Sequence, residues 1–277
     1  MTDEFDAGSY SEEIYDLWND ITDKSSKDTK KLVDMVSQFL ESNEDNDWMV
    51  YSVINEYIET YGREPKWEAI LIKQKDLSNA ISYCQSAKFR WKELEDKIEN
   101  SKNIDLAIEY SQVIESRWEV CEKMILEKKD IHHVMDYINF FGFRWEEAEH
   151  ILIKDPSRSV TYSIIYIKER WKEAEKSILK DVQQAQRYAE HFQFRWKGYE
   201  NKIKNRPNRI NYYAQKIIKG KLPDELHNRM LMLMLNPKKK HHAEDYFDFL
   251  KQQQDNTVKY LKSLSQDEQN DLLRLVK

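Results

Sequence analysis

Apolar positions return along this chain at helical spacing, and the return is keyed to tryptophan. Trp91, Trp118, Trp145, Trp171 and Trp196 are followed three residues on by Leu94, Cys121, Ala148, Ala174 and Tyr199, and seven on by Ile98, Ile125, Leu152, Ile178 and Ile203. An i, i+3, i+7 pattern places these side chains on one stripe of an α-helix. Trp67 with Ile70 extends the series toward the N-terminus, so the tryptophan steps are 24, 27, 27, 26 and 25 residues. Counting back from the next tryptophan, small or β-branched residues stand eleven earlier, at Ala80, Ala107, Val134, Val160 and Ala185. Tyrosines stand eight earlier, at Tyr83, Tyr110, Tyr137 and Tyr188, with Ser163 interrupting the series beside Tyr162. These positions predict a second helix that approaches its neighbours closely and turns a tyrosine ring inward, its hydroxyl reaching water or a neighbour. Polar stretches at 100–103 and 154–157 supply the turn and cap between the two helices.

A hairpin with one apolar stripe per helix cannot bury that stripe alone, so the pattern predicts stacked hairpins sharing a continuous core. The expected fold is all-α: an α-solenoid of helix hairpins with a repeat of about 26 residues and helical caps at both ends. Residues 1–47 read as an acidic N-terminal cap, with Ile14, Leu17, Trp18 and Ile21 on one helix and Leu32, Met35, Val36 and Phe39 on another. The repeat array occupies 48–222 and ends where Leu222 replaces tryptophan. A C-terminal cap, 223–277, opens with the all-round apolar run from Met230 to Leu235, for which burial is expected. It continues through Tyr246, Phe247, Phe249 and Leu250 to a capping box, Ser265 with Glu268, ahead of Leu272, Leu273 and Leu275.

Composition agrees with this class. Five glycines and five prolines in 277 residues leave little material for hairpin turns, and 34% charged residues suit long solvated helix faces. Two cysteines without a CxxC pair argue against disulfide or zinc support. The acidic N-terminus has no signal-peptide succession and no eighteen-residue apolar stretch occurs, so a soluble cytoplasmic protein is expected. Charge is distributed unevenly. Residues 1–47 carry fourteen acids and four bases, whereas 187–240 carry fourteen Lys and Arg against four Asp and Glu.

The unit Arg144-Trp145-Glu146-Glu147-Ala148-Glu149, repeated as Arg170-Trp171-Lys172-Glu173-Ala174-Glu175, resembles the tryptophan-containing helical repeats in uncharacterised proteins of large tailed bacteriophages. The stretch from Gly220 to Asn228 resembles their closing unit, and the likeness spans residues 48–235. Cys121 and Tyr199 depart from the pattern's alanine, and its proline after tryptophan is absent. The resemblance implies a phage origin and action in a bacterial cytoplasm, and it brings no catalytic residues.

Recurrent charges accompany the repeat. A base precedes each tryptophan (Lys66, Arg90, Arg117, Arg144, Arg170, Arg195), and Glu95, Glu122, Glu149, Glu175 and Glu200 follow four residues after one. The structural expectation is that each arginine covers the adjacent tryptophan or pairs with a glutamate across the groove between repeats. The adjacent pairs His132-His133 and His241-His242 lack a metal-binding frame, and Cys84 and Cys121 occupy core positions. No phosphate loop, nucleophile elbow or spaced carboxylate set appears, so no enzyme activity, cofactor or metal is expected. The strongest partner signal is the basic segment, with Arg187, Lys197, Lys202, Lys204, Arg206, Arg209, Lys216, Lys219 and Lys221 as candidate contacts. The leading reading is a non-enzymatic protein–protein interaction module that engages a host or phage protein during infection. A nucleic-acid-binding solenoid using 187–240 and a virion or assembly component are the alternatives.

Overall fold

A computed structural model describes residues 7–21, 26–42, 48–263 and 265. Every regular element among them is helical. The chain forms two compact units, Met1–Phe143 and Arg144–Lys277.

In the first unit, α1 (Ala7–Asp20), α2 (Ser26–Ser42) and α3 (Trp48–Tyr61) precede three hairpins. These are α4 (Pro65–Leu71) with α5 (Ser78–Ala87), α6 (Lys92–Ser101) with α7 (Ile104–Val113), and α8 (Glu119–Lys128) with α9 (Ile131–Phe141). The second helices form a row in which α3 packs on α5, α5 on α7 and α7 on α9. In the second unit, a 3-10 turn (Glu146–Ala148) leads into α10 (Glu149–Leu152). There follow α11 (Pro156–Tyr162), α12 (Lys172–Ile178), α13 (Val182–His191), α14 (Lys197–Ile203), α15 (Pro207–Tyr212), α16 (Asp224–Met234) and α17 (His241–Ser263). Here α11 packs on α13, and α15 on α17.

Local chemistry starts and stops each helix. Asn103, Asp130, Asp155 and Asp181 cap second helices by accepting from backbone N–H groups of the first turn. Each second helix ends in a corner residue with left-handed backbone: Lys88, Glu115, Gly142, Lys168, Gln193 and Lys219, at φ of 48° to 67°. Three residues later the chain is extended, at Trp91, Trp118 and Trp196, and the next first helix begins.

The apolar stripes are the core. Leu94, Cys121, Ala148, Ala174 and Tyr199, with Ile98, Ile125, Leu152, Ile178 and Ile203, are fully buried, as are Ala80, Ala107, Val134, Val160 and Ala185. The first repeat corrects the register read from tryptophan spacing. Glu64, not Trp67, holds the place of Trp91, because its N–H is bound by Tyr83 as that of Trp91 is by Tyr110. Trp67 is the core residue three positions on, its indole N–H donating to the Val33 carbonyl at 3.2 Å, and Leu71 completes the stripe while Ile70 is half-exposed. Lys66 instead pairs with Asp34 at 2.7 Å. The frame also continues past Trp196, since the Leu222 N–H donates to the Tyr246 hydroxyl.

The Ser163 interruption has a physical cause. α11 and α15 each run into a π-helical turn, Ser163–Ile167 and Tyr213–Ile218. The wider turn takes up one additional residue between tyrosine and corner. Tyr162 and Tyr213 therefore stand nine residues before the next frame position and still occupy the buried tyrosine place.

The expected burial of the run from Met230 to Leu235 is overturned in part. Met230 is buried, but Leu231, Met232, Met234 and Leu235 are 39%, 69%, 37% and 78% exposed. α16 packs against α17, with His227 meeting Tyr246 and Phe247, and among the described residues nothing buries the side chains of Leu231, Met232, Met234 and Leu235. The capping box completed by Glu268 and the leucines at 272, 273 and 275 lie outside the described residues.

Candidate functional site

The recurring charges belong to a polar network that each repeat rebuilds. A residue at the helix N-cap has a backbone N–H that the helix itself leaves unpaired. The tyrosine of the second helix accepts that N–H: Tyr110 from Trp91 (2.9 Å), Tyr137 from Trp118 (2.9 Å), Tyr162 from Trp145 (2.8 Å), Tyr188 from Trp171 (2.6 Å) and Tyr213 from Trp196 (3.0 Å). The same hydroxyl reaches a glutamate where one is close, Tyr110 to Glu95 at 3.1 Å and Tyr213 to Glu200 at 3.0 Å. Burial first, and the neighbouring carboxylate after it, push these phenols up; Tyr162 and Tyr188 rise to about 12. They stay protonated and available as donors.

Arginine completes the network inside its own repeat rather than across the groove. The Nε groups of Arg63, Arg90, Arg117, Arg144, Arg170 and Arg195 bind the glutamate five residues on at 2.7, 2.8, 2.6, 2.8, 3.0 and 2.9 Å. Because Glu95 and Glu200 are buried, the arginine's role is to neutralise a carboxylate that water cannot solvate. The tryptophan-covering role expected for arginine is also corrected. Arg63, Arg117 and Arg170 stack instead on Phe89, Phe143 and Phe194, with 3.7, 3.9 and 3.7 Å from guanidinium carbon to ring centroid. Those phenylalanines stand two residues before a frame position, a spacing visible in the sequence.

The basic segment is placed as follows. Arg187, Lys197, Lys202, Lys204, Arg206, Lys216, Lys219 and Lys221 are exposed on the second unit. Lys202 lies on α14, and Lys204 and Arg206 lie in the turn leading to α15. Arg229 joins them from α16 by bonding Asn205 at 3.3 Å. Arg209 differs from the rest. It is half-buried and donates to Gln186 Oε1 at 2.6 Å, so it holds α15 to α13. Arg187 touches Thr161 and Lys221 lies 3.8 Å from Asp224, while the aromatic residues interleaved with this segment, Tyr188, Trp196 and Tyr213, are buried.

The exposed end of α16 lies next to the 236–240 turn, which carries Lys238, Lys239 and Lys240. Apolar side chains and ammonium groups therefore share one edge of the second unit. Cys84 and Cys121 are buried, and burial pushes both thiols up to about 12. Among the described residues no group of three or more His, Cys, Asp or Glu side chains could hold a metal ion, and no helix is long and apolar enough to cross a membrane. Set against known proteins, the chain matches no protein family, no curated protein and no solved structure.

Proposed function

We propose that this chain is a non-enzymatic protein–protein interaction module, built as an α-solenoid of stacked hairpins with helical ends, whose second unit binds a partner along the α16 edge. The observation that carries this is the exposure of Leu231, Met232, Met234 and Leu235 beside Lys238, Lys239 and Lys240. An apolar patch with a polar rim marks a protein contact, and clustered positive charge speeds the approach of an acidic partner. The recurrent Arg, Glu and Tyr groups support the same reading, since their hydrogen bonds are spent inside the repeats. In the setting implied by the phage resemblance, the partner is a host or phage protein met in the bacterial cytoplasm, within an assembly or outside one.

The test pairs two sets of substitutions in affinity capture from infected cells. Met232→Asp with Leu235→Asp should abolish capture of the partner. Reversing Lys202, Lys204, Arg206 and Lys216 to glutamate should slow association at low salt and leave the fold intact; Arg209 is kept because it bonds Gln186. Capture unchanged by both sets would refute the reading. Nucleic acid is the second reading, favoured by the exposure of Lys197, Lys202, Lys204, Arg206, Lys216 and Lys219. Burial of Tyr188, Trp196 and Tyr213 leaves phosphate contact as its main chemistry, so its signature is binding that falls steeply with salt.

A further inference from the structure

The arginine row contains a regular omission. Phe89 covers Arg63 and Phe143 covers Arg117, but the residue at that place after Arg90 is Ser116. The backbone there is the same. The Ser116 N–H donates to the carbonyl five residues back, Ser111, at 3.3 Å, as Phe89 donates to Cys84 at 3.4 Å and Phe194 to Ala189 at 3.3 Å. The residue before each, Lys88, Glu115 and Gln193, is in the left-handed region at φ of 48° to 49°. Only the ring is missing.

Beside this corner lies a cavity of about 480 Å³, lined by Gln85, Lys88, Phe89, Arg90, Gln112 and the corner residue Glu115. That lies within the range of small-ligand sites, roughly 300–1,000 Å³. Arg90 spends its hydrogen-bonding edge on Glu95, with Nε and one Nη nitrogen each 2.8 Å from the carboxylate. Its charge is thereby balanced, while half of the side chain, 52%, stays exposed and no described aromatic ring lies over it. What remains to offer is the planar face of the guanidinium, which attracts an aromatic ring rather than another carboxylate.

We propose that this cavity receives an aromatic side chain of a partner polypeptide, stacked on Arg90 as Phe89 is on Arg63. Phe89 adds an apolar wall, and the amides of Gln85 and Gln112 can bind a phenol hydroxyl or an indole N–H at the rim. The inference rests on reading the chain as a protein-interaction module, but it concerns the first unit and is independent of the α16 edge.

The test is an amide NMR titration of the full chain with N-acetyl-tryptophan amide, using N-acetyl-leucine amide as the non-aromatic control. Saturable shifts confined to residues 85–90 and 112–116, seen with the tryptophan probe only, are expected. Ser116→Phe should abolish them by supplying the ring that neighbouring repeats already carry. Arg90→Lys keeps the charge and removes the flat face, and should weaken the probe about fivefold. Scattered or unsaturable shifts, equal shifts with the leucine probe, or shifts that persist undiminished in both variants would overturn the proposal. Such a result would remove the Arg90 receptor and leave the α16 reading standing, because the aspartate variants that test α16 do not touch this cavity.

Discussion

Replacing Tyr110 with phenylalanine isolates what the recurring network contributes. The hydroxyl accepts the buried Trp91 N–H at 2.9 Å and reaches the buried Glu95 carboxylate at 3.1 Å. Its ring is fully buried and remains in place in the variant, so apolar packing is nearly conserved. The loss is then an orphaned N–H together with one hydrogen bond to a charged acceptor, on the order of 2–4 kcal/mol. Tyr260→Phe, at a side chain that is 60% exposed, is the control and should change stability by less than about 0.5 kcal/mol. Urea unfolding measures the global effect. Hydrogen exchange at the Trp91 amide measures the local one, and its protection should fall by roughly 30-fold for each 2 kcal/mol lost. Combining Tyr110→Phe with Glu95→Gln should cost less than the sum of the two, since the groups share one bond. If Tyr110→Phe matches the Tyr260 control and the Trp91 amide stays protected, the network is ornamental and helix packing alone holds the corner.

Other outcomes follow from the same geometry. Trp145→Ala, at a side chain 2% exposed, should destabilise by about 3–5 kcal/mol in equilibrium unfolding. Cys84 and Cys121 should resist iodoacetamide in the native protein and react only after denaturation, because burial lifts both thiols to about 12. In the last hairpin the Tyr246 hydroxyl lies 2.7 Å from His227 Nδ1, where Leu226 replaces the usual glutamate. Burial first, then Lys221, hold this imidazole below its ordinary 6.5, so the unfolded chain binds the additional proton and stability falls as pH drops through 6.5. Melting curves between pH 8 and pH 5 should show that loss, and His227→Gln should flatten it.

Most of the hairpin frame was legible because a rare, large side chain marks it, and a repeated core position needs a repeated residue type. The first repeat misled for the same reason. Trp67 is a core tryptophan in a different register, and the true marker was the Arg63 to Glu68 spacing, which copies Arg90 to Glu95. The π-turns could not be read from composition, since nothing in Ser163–Ile167 names a wider turn. The α16 run misled because all-round apolarity normally signals burial, whereas here nothing among the described residues buries Leu231, Met232, Met234 and Leu235. The candidate cations were found by charge alone, and charge could not show that Arg209 is a brace between helices while Lys204 is free of such a role.

The π-turns bear on how this chain tolerates change in length. In Ser163–Ile167 and Tyr213–Ile218 an additional residue is swallowed between a tyrosine that is hydrogen-bonded on one side and a corner that is fixed on the other. Deleting one residue there should tighten the turn to an α-turn, and inserting one after Tyr137 or Tyr188 should widen it, with the tyrosine contacts kept in either case. A single-residue gain or loss at that point is therefore a silent edit, whereas the same edit between tryptophan and glutamate would separate Arg from its carboxylate. Relatives of this chain are best aligned by their hydrogen-bonding anchors, with the gaps assigned to this one turn, rather than by a fixed count of residues.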